Sequence, residues 1–150
     1  IQDKIKACDY VINNMLNEQE RIVYKNEGRI IQMNTNQFEN GQGSDDKLLK
    51  NANPIFDGVY SLRTQLIDNR KIAGNLYNFY QTGAFLSGMQ ADLDNSLTKL
   101  NIFSTGTGSG DKALFFKGYT NLFGLNSKNE YELNYKIILP ELLTWIKKYI

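Results

Sequence analysis

The chain has 150 residues, a length that suits one folded domain with a sizeable core. Hydrophobic residues make up 41% and charged residues 22%, as in ordinary globular proteins. Seventeen Lys and Arg against 16 Asp and Glu leave a net charge of +1, which excludes a global field that would draw the chain to a phosphate backbone or an anionic membrane. With one cysteine, Cys8, and no histidine, an intramolecular disulfide, a Cys/His metal site and any imidazole-based triad are excluded.

No apolar run approaches the roughly 18 residues needed to span a bilayer, and no signal-peptide pattern opens the chain, so it reads as soluble. A lone thiol points to a reducing assembly compartment. The chain opens on Ile1 rather than Met, from which the expectation is an initiator upstream.

Ile5, Cys8, Ile12, Met15 and Ile22 follow 3-4 spacing, with Asp3 near the start, so the first 25 or so residues are expected to form an amphipathic helix covering the core. Gly28 interrupts it, and Arg29 to Met33 suits either a continued helix or a strand. Asn40 to Asp46 (NGQGSDD) is a turn-forming loop and the best candidate for a flexible arm. From Ile55, preceded by Pro54, the residues Val59, Leu62, Leu66 and Ile67 predict a central helix ending before Gly74.

Thr82-Gly83 signals a turn, and Gly83 suits a positive φ where a strand starts. Phe85, Met89, Ala91 and Leu93 then alternate, as do Leu100 and Ile102, which predicts a small antiparallel sheet over about residues 84–104 joined around Asp94-Asn95. After the loop Thr105 to Gly110, Ala113 to Tyr119 suits a short helix closing at Gly124. Residues 131–138 fit a strand or a helix. The capping-box pattern Ser127-Lys128-Asn129-Glu130 favours a helix from about residue 128, broken or kinked at Pro140, with Lys147 and Lys148 near its C-terminal end. The fold class is therefore α+β in a single domain over 1–150, with a long N-terminal helix, a central helix, a small sheet and C-terminal helices.

The chemistry-like motifs are weak. TGTGSGDK at Thr105 to Lys112 lacks the Gly-Lys-Ser/Thr of a phosphate loop and puts Asp111 where phosphate would sit. Asp92 with Asp94, and Asp45 with Asp46, lack cation-loop spacing and suit turn capping. Trp145, Tyr149 and Ile150 could dock into a partner groove, although a C-terminal aromatic more often packs at home. No catalytic, cofactor or metal residue is expected.

The order of three motifs resembles a family of small virion proteins of tailed Bacteroidales phages, crAss-like phages included, and more distantly tail-completion or head-tail joining proteins. The first motif is Asn26-Glu27-Gly28-Arg29-Ile30-Ile31-Gln32-Met33-Asn34-Thr35-Asn36-Gln37-Phe38 followed by Gly41, similar to an I-x-x-x-N-x-x-Q-[aromatic or Leu]-x-x-G stretch. The second is Phe79-Tyr80-Gln81-Thr82-Gly83-Ala84-Phe85, and the third Leu122-Phe123-Gly124-Leu125, followed by a helix with Pro140 and Leu142-Leu143. The match departs at Ala84 and between Asn51 and Asn75.

The resemblance implies a non-enzymatic structural component without cofactors, repeated in a homo-oligomeric ring at the neck or upper tail. Its partners would be the portal or adaptor ring and tail proteins, with no membrane or sequence-specific nucleic acid, and its location the virion, or the host cytoplasm during assembly. Candidate inter-subunit contacts are Gln42, Gly43, Ser44, Asp45, Thr105, Gly106, Thr107, Trp145 and Tyr149, on the expectation that both loops reach a neighbour and order on contact. A small cytosolic toxin-immunity or inhibitor protein is the alternative of a different class, and a carboxylate enzyme such as a phage wall hydrolase comes third.

Overall fold

The structure, a computed structural model, describes residues 1–50, 59–75, 87–105 and 118–150. It is α+β. Helix α1 (Gln2–Lys25) turns a corner at Asn26 into α2 (Glu27–Glu39), a short α3 (Leu62–Ile67) follows, and β1 (Met89–Leu93) pairs with β2 (Leu100–Ser104). The chain closes with α4 (Ser127–Tyr131), a π-helical stretch (Glu132–Ile138) and α5 (Leu139–Ile146).

Helix α2 carries the core. Its residues Ile30, Asn34, Gln37 and Phe38 lie at i, i+4, i+7 and i+8, one face of a 3.6-residue period, and all four are buried. Ile30 and Phe38 join a cluster with Val23, Leu49, Met89, Ile102, Leu122 and Ile137, which draws on every named element except α3, α4 and α5. The two amides between them reach non-local backbone. Asn34 Nδ2 donates to the carbonyls of Leu122 (3.1 Å) and Gly124 (2.9 Å), and Gln37 Nε2 donates to the same Gly124 carbonyl (3.0 Å). Gln37 Oε1 in turn accepts from the Asn126 backbone N–H (2.8 Å) and from Asn129 Nδ2 (3.1 Å). The first and third motifs are thus two sides of one joint. Gly124 sits in it at φ +113°, a conformation that favours glycine.

The hairpin follows its turn chemistry. β1 and β2 are antiparallel with Ala91 opposite Ile102, and Met89, Ala91 and Ile102 face the core. Asp94 organises the turn: its Oδ1 accepts from the backbone of Thr98 and Lys99 (3.0 Å each) and its Oδ2 from Ser96 Oγ (2.8 Å). These donors hold its carboxyl below the ordinary 3.8, the Lys99 amide foremost. The N–H of Ala91 donates to Glu27 Oε1 (3.2 Å), so the first turn of α2 covers part of the outer edge of β1.

Of the two alternatives for Arg29 to Met33, the helix is the one observed. Several expectations are corrected. The first helix breaks at Asn26 rather than Gly28. The central helix is six residues, capped by Ser61 through its Oγ and the Thr64 N–H, and its Leu62, Leu66 and Ile67 stripe faces outward. Tyr60 explains the late start: its N–H donates to Asn75 O and its carbonyl accepts from Gly74 N–H (2.9 Å each), which commits it to non-helical pairing. Ile55 lies outside the described residues.

At the last helix the cap is Asn126, whose side chain accepts from Asn129 N–H, while Ser127 bonds Asp46 through its N–H and hydroxyl. Pro140 does not break the helix. Proline removes an amide donor and crowds the carbonyl four residues back, and here the preceding turns widen instead, with Leu139 N–H donating to Asn134 O five residues back. The expected turn at Thr82-Gly83, and all but the end of the expected helix Ala113 to Tyr119, lie outside the described residues.

Gln37→Leu keeps the size of the side chain but removes the acceptor of a buried backbone N–H and one donor to Gly124. An unsatisfied buried group costs about 1–3 kcal/mol, so this variant is expected to lose roughly 2–3 kcal/mol, or about 5–10 °C in Tm. Exposed Asn36→Leu on the same helix is expected to stay within about 0.5 kcal/mol. Equal thermal melts for the two variants would remove Gln37 from its central role.

Candidate functional site

Helix α1 is longer than the body it packs on. Ile5, Ile12, Leu16 and Val23 are spaced 7, 4 and 7 and share one face. Val23 is 3% exposed in the core, while Leu16, Ile12 and Ile5 are 47%, 67% and 55% exposed. The core stops and the apolar stripe continues, leaving an exposed apolar ridge along the N-terminal half of α1. Cys8 is exposed on the same half.

A clamp to α5 fixes the direction of this ridge. Glu141 accepts from Lys25 Nζ (2.9 Å) and Asn26 Nδ2 (3.1 Å), while Asn26 Nδ2 also bonds Ile22 O, so one carboxylate holds the corner between α1 and α2. Hydrogen bonds from Lys25 and then Asn26 lower the Glu141 carboxyl from its ordinary 4.5. Further out, Tyr10 meets Tyr149 (4.8 Å between centroids) and Trp145 (6.5 Å), and Trp145 meets Tyr149 edge-on at 5.4 Å. Trp145 is 8% exposed, so its ring is used inside the chain and is not a free docking anchor. Tyr149 is packed on Tyr10 with one side exposed.

The loop after α2 is not a projecting arm. Gly41 adopts φ +72°, Gly43 N–H donates to Lys47 O (2.7 Å), and Gln42 bridges to Leu48. Asn121 closes the loop, donating to Asp45 Oδ1 and Leu48 O (2.9 Å each), while its backbone carbonyl accepts from Ser44 N–H (2.8 Å). The Asn121 donation also lowers the Asp45 carboxyl. Gly43 is buried where a Cβ would lie 2.5 Å from Asn121 Cγ, so no side chain fits. Asp45 and Asp46 turn to different partners, Asn121 and Ser127, and do not form a carboxylate pair.

Of the remaining candidates, Thr105 closes the open end of the hairpin, its N–H (2.9 Å) and Oγ1 (3.2 Å) both donating to Gly88 O. Gly106 and Thr107 lie outside the described residues, as does Asp111. Asp92 is exposed on β1 opposite Asn101. Among the described residues no cluster of three metal-ligating side chains occurs, and no helix is long and apolar enough to cross a membrane.

Of the described candidate contacts, Ser44 alone lines a groove of ≈ 600 Å³ between the 41–50 loop, the hairpin tip and α4. Leu100, Phe123, Leu125 and Leu133 supply its apolar wall, and Lys99 and Glu130 supply charges. Its lining is mixed, with Ser44, Thr98 and Asn134 adding polar groups to those charges. Sequence reasoning missed it, because its walls come from three regions far apart in the chain, at Ser44, 98–100 and 123–134. Compared with known proteins, the chain matches no family model, and searches of curated proteins and of solved structures return no match.

The Glu141 clamp has a pH signature. A carboxyl lowered by folding adds stability that is present above its ordinary 4.5 and lost as pH falls through its lowered folded value. Glu141→Gln is therefore expected to melt below wild type at pH 7, with the gap narrowing as pH drops below 4.5. Thermal melts at pH 7 and pH 3 check this, and a gap independent of pH would contradict the clamp.

Proposed function

We infer that the chain is a non-enzymatic structural component of a tailed-phage virion, acting at the head-tail joint or in tail completion, as repeated copies in a ring. The observation that carries this reading is the exposed ridge Ile5, Ile12 and Leu16 on a helix whose direction is fixed by Glu141 and the Tyr10–Trp145–Tyr149 contacts. A closed ring needs a heterologous interface, in which each subunit offers two different patches. The ridge is one such patch, and the groove walled by Leu100, Phe123 and Leu133 shares no residue with it. Portal or adaptor-ring subunits and tail proteins are the partners above and below.

The first and third motifs meet at the Gly124 carbonyl and build the scaffold, and the ridge lies outside both.

Ile12→Glu with Leu16→Glu tests the ridge. Both side chains are exposed, so the change in stability is expected to be within about 1 kcal/mol. In the encoding phage, the double variant is expected to give unjoined heads and tails or incomplete tails. Normal infectious titre with the variant protein would sink this reading.

A further inference from the structure

A second groove, of ≈ 280 Å³, lies between the last turn of α2, the loop after it and the start of α4. Its lining is dominated by primary amides: Asn36, Gln37 and Asn40 from α2, Gln42 from the loop, and Asn126 and Asn129 from the beginning of the last helix. The inner amides are fixed. Gln37 is held at both ends by Gly124, Asn126 and Asn129, and Asn126 caps α4. The outer ones keep capacity to spare. The Asn36 side chain has no hydrogen bond within the chain among the described residues, Asn40 uses only its Nδ2, to Asn36 O, and Gln42 uses only its Oε1, in a long 3.4 Å contact with Asn126 Nδ2.

A primary amide offers donors and an acceptor side by side, as a peptide main chain does. The remaining charges are few: Lys128 at the rim, and Glu132, which pairs with Lys136 at 3.4 Å. Among the described residues, the lining thus has no cluster of cations of the kind an anionic ligand needs. Nor do they supply an aromatic platform on which a nucleobase could stack. Its volume is just below the range of about 300–1,000 Å³ typical of small-molecule pockets, which suits a short stretch of chain more than a compact cofactor.

We propose that this groove is a binding site for the main chain of an extended, uncharged peptide segment, with Asn36, Asn40 and Gln42 making the contacts. The inference does not rest on the virion role. Recognition is by backbone N–H and C=O groups, so it tolerates varied side chains and depends on the donors of the bound segment.

The test is a titration followed through the side-chain NH₂ resonances of the protein. The probe is an acetylated hexapeptide amide of alternating Ala and Ser; the comparators are its backbone N-methylated analogue and maltotriose. The expected result is saturable shifts at Asn36, Asn40 and Gln42 with the plain peptide, affinity at least tenfold weaker for the methylated analogue, and a similar loss in Asn36→Ala with Gln42→Ala at unchanged Tm. Equal binding of the methylated peptide, saturation by maltotriose alone, or no saturable shift with any of the three would each overturn the proposal.

Discussion

One carbonyl organises this protein. The Gly124 oxygen, presented by a backbone at φ +113°, receives both Asn34 and Gln37 from α2, and the acceptor end of Gln37 then holds Asn126 and Asn129 at the start of the last helix. Amides inside a core are costly unless bonded, and bonded ones demand a particular geometry. Asn34 Oδ1 has no hydrogen-bond partner among the described residues. In return the seating of α2 against the 122–126 segment is defined by directional bonds as well as by packing around Ile30, Phe38 and Leu122.

The other elements are placed relative to that joint. Asn121, next in the chain, closes the loop 41–50, and Asp46 reaches across to Ser127. The last helix leaves the joint at Asn126, passes Pro140 by widening its turns, and brings Glu141 to the corner of α1 and Trp145 to Tyr10. The exposed ridge of α1 is thereby held through α5 to the same body as the two grooves. In the proposed ring this connection would set the angle between the patches, because flexibility between them would leave a ring free to misclose.

What was legible in the sequence was local. The 3-4 spacing of α1, the alternation of Met89 to Leu93 about Asp94, and the start of the last helix each depend on residues within a few positions of one another. The features that were not legible depend on distant partners. Nothing local marks Asn34 and Gln37 as buried, because their carbonyl lies about 90 positions away. Gly43 and Asp45 resemble an unattached loop until Asn121 is known to close it. Leu62, Leu66 and Ile67 have helical spacing, but Tyr60 pairs with Gly74 and Asn75, and the stripe is turned outward. Of the candidate contacts, Ser44 stays at a groove and Tyr149 stays partly exposed, whereas Gly43 and Trp145 are consumed internally.

A body joined internally by amides, with an apolar ridge left uncovered, is what a subunit needs when its remaining interface is supplied by neighbours. For the proposed virion role, the most direct measurement is made on purified particles of a tailed phage that carries this sequence: the amount of this chain relative to the portal protein, combined with a map of the neck and upper tail. The account predicts a fixed, ring-like copy number, with Ile5, Ile12 and Leu16 covered by an adjoining subunit. Absence of the chain from intact particles, or its presence with that ridge facing solvent, would contradict it.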